Sequence, residues 1–115
     1  MEANSEVRIM KKIECVIRPE KLKELAEALR ETGISGLTVT EVKGFGQQTT
    51  RPENYLFLPK TKIEIYLDDV KVEEVFEAIT KVCKTGGLGD GKAVVLPLED
   101  ALRIRTGDRG EKAII

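Results

Sequence analysis

The sequence contains no histidine and no tryptophan, and aromatic residues make up only 4% of its 115 residues. Without histidine, and with only two cysteines, the usual zinc sites and the triads that use histidine as a base are excluded. Cys15 and Cys83 lie far apart and form no CxxC pair. Because both fall on apolar faces of predicted elements, we expect them to be buried core thiols.

The chain also lacks long apolar runs and an excess of either charge. Its longest apolar stretches have about five residues, whereas a membrane-spanning helix needs about 20. Residues 1–6 have neither the basic nor the apolar region of a signal peptide, so we expect a cytoplasmic protein with no direct membrane insertion. The formal net charge of -1 at pH 7 argues against nucleic acid as a partner. The length fits one domain.

The hydrophobic period changes along the first half of the chain. Alternating apolar residues at 13–17 predict a strand, and Pro19 then opens an amphipathic helix that Gly33 ends. Residues 37–42 are rich in β-branched side chains and predict a second strand. Residues 44–54 have no period and contain Gly, Pro, Thr and Asn, so they predict a long loop.

The second half repeats the pattern. A third strand is predicted at residues 63–67, a second helix follows that Asp68 or Asp69 caps, and a fourth strand runs from Lys92 to about Leu96. The order βαββαβ is that of an α+β, ferredoxin-like sandwich. Two helices cover one face of such a sheet, and the other face is commonly buried by oligomerisation.

The glycine-rich segment at residues 85–92 is the most informative stretch, with four glycines and one lysine. Glycines let successive N–H groups approach phosphate oxygens, and the lysine adds positive charge. The segment fits GxxxxGK, but Ala93 follows where a Walker A motif needs Ser or Thr, and a strand is predicted where that motif needs a helix. A P-loop NTPase is therefore disfavoured. A plain loop between a helix and a strand is the alternative.

Arg103 and Arg105 form a second cationic feature. On an extended segment, residues at i and i+2 lie on one side, where two guanidinium groups can bind phosphates. A solvated basic edge strand is the alternative. In an oligomer, a cleft between subunits could bring these arginines to the glycine-rich segment.

Several segments together resemble the PII signal-transduction proteins, over residues 10–115. They are residues 10–14, 37–46, 57–60, 85–92 and 103–110. The resemblance implies a homotrimer that senses ATP or ADP, and often 2-oxoglutarate, and that controls a transporter or metabolic enzyme, chiefly in nitrogen metabolism. Residues 1–9 have no counterpart and form an N-terminal extension. In the family, the stretch after Gly46 is the T-loop, which contacts partners.

The resemblance also implies which residues bind ligands. Ten match the family's nucleotide contacts between subunits: Val16, Thr38, Gly44 and Glu64 around adenine, Gly89, Asp90, Gly91 and Lys92 at the phosphates, and Arg103 and Arg105 from the next subunit. Gln48 and Lys60 match the groups that respond to 2-oxoglutarate, with Gln48 on the Mg²⁺ that accompanies ATP. No permanent metal is implied.

Residues 44–50 depart from the family's usual GFGRQKG. Gln47 replaces an arginine that commonly reaches the terminal phosphate, and the lysine after Gln48 is also lost. The T-loop is several residues shorter than usual. Tyr55 lies two residues before Phe57, close to the third strand, so we expect that it does not serve as a uridylylation site.

We interpret the chain as a sensor and not an enzyme, because the sequence offers no nucleophile or general base with a positioned partner. Two alternatives stay open. One is a PII-like regulator of bicarbonate or other transport that responds to adenylates. The other is a small ferredoxin-like enzyme that acts on a phosphorylated substrate.

Overall fold

A computed structural model describes residues 9–46 and 57–115; the expectations for residues 1–8, Gln47, Gln48 and Tyr55 lie outside the described residues. The main elements are β1 (Met10–Ile17), α1 (Leu22–Glu31), β2 (Thr38–Gly44), β3 (Leu58–Asp68), α2 (Val72–Cys83) and β4 (Gly91–Pro97). This order confirms the predicted βαββαβ arrangement.

The four strands form one antiparallel sheet in the order β2-β3-β1-β4. β1 lies in the interior of the sheet, so that Cys15 pairs with Ile63 of β3 on one side and with Ala93 of β4 on the other. Both helices cover the same face of the sheet. The fully buried core residues come from these two layers: Ile13, Cys15, Ile17, Ile63 and Ile65 from the sheet, and Leu25, Leu29 and Val75 from the helices.

Each helix begins with a short 3-10 turn. Pro19 opens the first turn, at Pro19–Lys21, where its missing N–H costs nothing. The second turn is Asp69–Lys71, with Asp68 at its N-cap position; Lys71 occupies the N-cap position of α2, so the prediction that Asp68 or Asp69 caps α2 directly is wrong. Neither α-helix, among the residues that the structure describes, is long and apolar enough to cross a membrane.

Cys15 and Cys83 are buried in the core as predicted, and both are free thiols. Burial raises the pKa of the Cys15 thiol to about 12, because the protein interior disfavours the thiolate. Burial also raises the pKa of Cys83. Both side chains therefore serve as small apolar residues of the core, Cys15 from the sheet and Cys83 from the end of α2.

The second face of the sheet is left open by the helices in this chain. Three large apolar side chains on this open face are substantially exposed: Tyr66 at 46%, Val94 at 45% and Leu96 at 37%. Between them, Lys12 Nζ lies 2.7 Å from Glu64 Oε2 and 2.9 Å from Glu14 Oε2. The hydrogen bonds that Lys12 donates to Glu64 and Glu14 raise its pKa.

Candidate functional site

The glycine-rich loop connects the end of α2 to the start of β4, where the chain runs very close to β1. Gly91 pairs with Ile17 and has a φ of 105°. A Cβ atom at Gly91 would lie only 1.9 Å from the carbonyl oxygen of Val16. Only glycine fits this position, so the last glycine of the segment is required by the fold itself.

The carboxylate of Asp90 holds the loop closed from inside. It accepts hydrogen bonds from the Thr85 N–H at 2.8 Å, the Gly86 N–H at 2.9 Å and the Thr85 hydroxyl at 2.5 Å. These bonds lower the pKa of Asp90 well below its usual range, and the bond from the Thr85 hydroxyl has the largest effect. The side chain of Asp90, which the resemblance places among the phosphate contacts, is therefore engaged by the loop.

Arg18 supports the same loop from the end of β1. Its Nε lies 3.3 Å from Asp90 Oδ1, and its Nη2 donates to the Leu88 carbonyl oxygen at 2.8 Å. Arg18 is not among the predicted site residues. A signal existed, since an antiparallel β1–β4 pair brings the residue after Ile17 next to the residue before Gly91.

Lys60, near the start of β3, contacts the glycine-rich loop from another side. Its Nζ donates to the Gly89 carbonyl oxygen at 3.1 Å. A cleft of about 590 Å³ lies between this lysine and the loop. Seven of the predicted site residues line it: Val16, Gly44, Lys60, Gly89, Asp90, Gly91 and Lys92.

Three other predicted residues lie together elsewhere. Thr38, Glu64 and Arg103 line a second cavity of about 370 Å³ with Tyr66 of the open face. Thr38 begins β2, whereas Gly44 of the first cleft ends it, and the length of this strand, at about 3.3 Å per residue, separates the two residues. The predicted set is therefore divided between two cavities of one chain, which we call the loop cleft and the Arg103 cavity.

The segment that carries Arg103 and Arg105 is a turn, so the prediction of an extended segment is wrong here. The Gly107 N–H donates to the Arg103 carbonyl oxygen at 2.8 Å, and the Arg103 N–H donates to the Asp108 carbonyl oxygen at 2.9 Å. Arg103 is half-buried, and its Nη2 donates to the main-chain oxygen of Ile115 at 2.5 Å. Arg105 is exposed and does not line either cavity.

The loop cleft is suited to an anion. It combines a glycine-rich main chain with two lysines, Lys60 and Lys92, and its carboxylate Asp90 is engaged by Thr85, Gly86 and Arg18. Among the described residues there is no group of three or more side chains arranged to hold a metal ion. The N–H groups of Thr85, Gly86, Gly87 and Asp90 are already engaged within the loop, so the charge of the two lysines is the feature that favours a phosphate-bearing ligand.

Comparison with known proteins agrees with these features. The family described as "Nitrogen regulatory protein P-II" matches residues 10–108. The chain is 52% identical over 112 residues to the nitrogen regulatory protein P-II of Rhodospirillum rubrum and to that of Azospirillum brasilense, and each alignment covers 91% of this chain and all of the relative.

Two solved structures show the same likeness. The complex of B. subtilis GlnK with ATP has a TM-score of 0.79 and 37% identity, over 91% of this chain and 97% of that one. Arabidopsis thaliana PII bound to citrate has a TM-score of 0.79 and 41% identity, over 91% of this chain and 92% of that one.

Proposed function

The chain belongs to the nitrogen regulatory protein P-II family, and from that membership we propose that it is a PII-type regulator that binds ATP or ADP between the subunits of a homotrimer. Its relatives are signalling regulators and not enzymes. A protein that it controls would be a metabolic enzyme or a transporter, chiefly in nitrogen metabolism. The regulatory domain comprises residues 10–115, with residues 1–9 as an extension.

The loop cleft is the observation that carries this proposal. Lys60 and Lys92 line this cleft together with the glycine-rich loop and supply positive charge for the phosphates. Two lysines do not balance a triphosphate, which carries about four negative charges. Further cations are therefore needed, and Arg103 and Arg105 of a neighbouring subunit would supply them.

The division of the predicted residues between two cavities supports a site built from two subunits. In our proposal one subunit supplies the loop cleft, including Val16 and Gly44. The resemblance assigns only the arginines to the next subunit; because Thr38 and Glu64 share the Arg103 cavity, we assign these two adenine contacts to the next subunit as well. Trimer formation would also bury the exposed apolar side chains of the open face.

Lys60 and Gln48 are the proposed link to a second effector. The ammonium group of Lys60 donates to the Gly89 carbonyl oxygen, and a dicarboxylate such as 2-oxoglutarate would compete for it. Gln48 would join the Mg²⁺ that accompanies ATP. Titration of the ATP-loaded protein with 2-oxoglutarate and, separately, with bicarbonate distinguishes a nitrogen regulator from a regulator of bicarbonate transport.

Mixed trimers test the site between subunits. Lys92→Ala chains and Arg103→Ala chains are each expected to bind ATP weakly, since hydrogen bonds to charged groups contribute about 1.5–3 kcal/mol. In a trimer that contains both variants, the cyclic order leaves one of its three sites with both an intact Lys92 and an intact Arg103. Calorimetry should therefore find tight ATP binding restored at that site.

The same mixing experiment has a clear negative outcome. If Lys92 and Arg103 of one chain act on the same nucleotide, no mixed trimer regains an intact site, and tight binding stays absent. Arg30→Ala serves as the matched control, because Arg30 is an exposed α1 arginine that lines neither the loop cleft nor the Arg103 cavity. A monomer in light scattering that binds ATP tightly would also contradict the proposal.

A further inference from the structure

Asp90 creates an electrostatic problem at the loop cleft. Its side chain is 22% exposed and lies within the loop that, in the proposed function, holds nucleotide phosphates. Two anions a few ångströms apart repel each other strongly where water is partly excluded. The loop needs this carboxylate, because it accepts the hydrogen bonds from the Thr85 and Gly86 N–H groups that close the loop.

Arg18 is placed to offset this charge. Its guanidinium lies against Asp90 Oδ1 at 3.3 Å and binds the Leu88 carbonyl oxygen with a second nitrogen at 2.8 Å. The arginine side chain is 21% exposed, so its charge is only partly screened by water. Arg18 does not itself line the loop cleft, which makes direct contact with a bound nucleotide unnecessary to its effect.

We propose that Arg18 is a positioning residue that neutralises Asp90 and thereby sets how strongly the loop prefers the more highly charged nucleotide. This inference rests on the proposed nucleotide site. With Arg18 present, the loop keeps its carboxylate brace without presenting a net negative charge to the phosphates. Without it, the repulsion grows with each charge on the ligand, so ATP loses more affinity than ADP.

The Arg18→Gln variant removes the charge. We expect ATP binding to weaken about tenfold, or about 1.4 kcal/mol, and ADP binding about threefold, measured by calorimetry at one ionic strength. Arg30→Gln makes the same change in net charge on α1 and should alter both constants less than twofold. An equal loss for ATP and ADP, or no loss, would overturn the charge role.

Two further variants separate charge from shape. Arg18→Lys keeps the charge but loses the two-nitrogen fork, so it should restore the ATP-to-ADP affinity ratio even if both affinities fall. In an Asp90→Asn background, Arg18→Gln should change that ratio less than twofold, because residue 90 then carries no negative charge for Arg18 to neutralise. Identical ratios for the Lys and Gln variants, or an undiminished effect in the Asn background, would refute the proposal.

Amide hydrogen exchange of the protein without nucleotide distinguishes failure of this inference from failure of the proposed function. Arg18→Gln should speed exchange at the Thr85 and Gly86 N–H groups, which the braced carboxylate protects, while exchange in α1 stays unchanged. If the unmodified protein binds no nucleotide, the proposed function fails. If exchange at these two amides does not change, Arg18 does not position the loop.

Discussion

Substitution of Gly91 by alanine tests the close approach of β4 to β1. The added Cβ would lie 1.9 Å from the Val16 carbonyl oxygen and 2.9 Å from its carbon, so the start of β4 must move away. The φ of 105° adds strain of about 1–2 kcal/mol, and the loss of one or two ladder hydrogen bonds adds about 0.5–1.5 kcal/mol each. We expect Gly91→Ala to lower the free energy of unfolding by about 1.5–5 kcal/mol.

Two other glycines separate the clash from the strain. Gly86 lies in the same loop with a φ of 88° but has nothing within 4 Å of its added Cβ, so Gly86→Ala should cost only the strain of about 1–2 kcal/mol. Gly36 has neither the unusual φ nor a close neighbour, and Gly36→Ala should change stability by less than about 1 kcal/mol. Urea unfolding at one protein concentration measures all three variants. A Gly91→Ala variant no less stable than Gly86→Ala would refute the packing argument.

Three further predictions concern other parts of the chain. Gln47→Arg should raise ATP affinity more than ADP affinity in calorimetry, because an arginine there reaches the outermost phosphate in the family; equal gains would contradict this role. Tyr55 should gain no mass when the protein is incubated with UTP and a uridylyltransferase of a PII system; modification abolished by Tyr55→Phe would show the opposite. Cys15 and Cys83 should resist alkylation at pH 8 until the protein is unfolded, because burial raises the pKa of each thiol and keeps it protonated; rapid labelling of the folded protein would contradict their burial.

The core strands were predictable because burial of one face of the sheet requires apolar and polar residues to alternate along each strand. Ile13 and Ile17 face the helices, and the period of two identifies that face without knowledge of the partner strands. The start of β3 was not predictable in this way. β3 begins at Leu58 because residues 58–64 pair with β2. Pro59 is tolerated there since β1 pairs with β3 only from Thr61 onward.

The candidate site was predictable only where a local pattern carries the chemistry. Four glycines before Lys92 identify the loop, but Arg18 reaches Leu88 and Asp90 across some 70 positions, a contact that no local pattern reveals. The charge spacing at Arg103 does not reveal the turn there, which Gly107 closes by donating its N–H to the Arg103 carbonyl oxygen.

The pairing of β4 with β1 also has a consequence for the order in which the protein becomes competent. Residues 10–83 contain both helices and three of the four strands, yet the glycine-rich loop takes its shape only when Gly91 reaches Ile17, from the opposite end of the chain. Contacts between such distant residues form late, because the chain must first pay the entropy of closing a long loop. Under our proposal, a growing or truncated chain can form much of its core and still be unable to bind nucleotide. Ligand binding would then report that the last strand has been made and is in place.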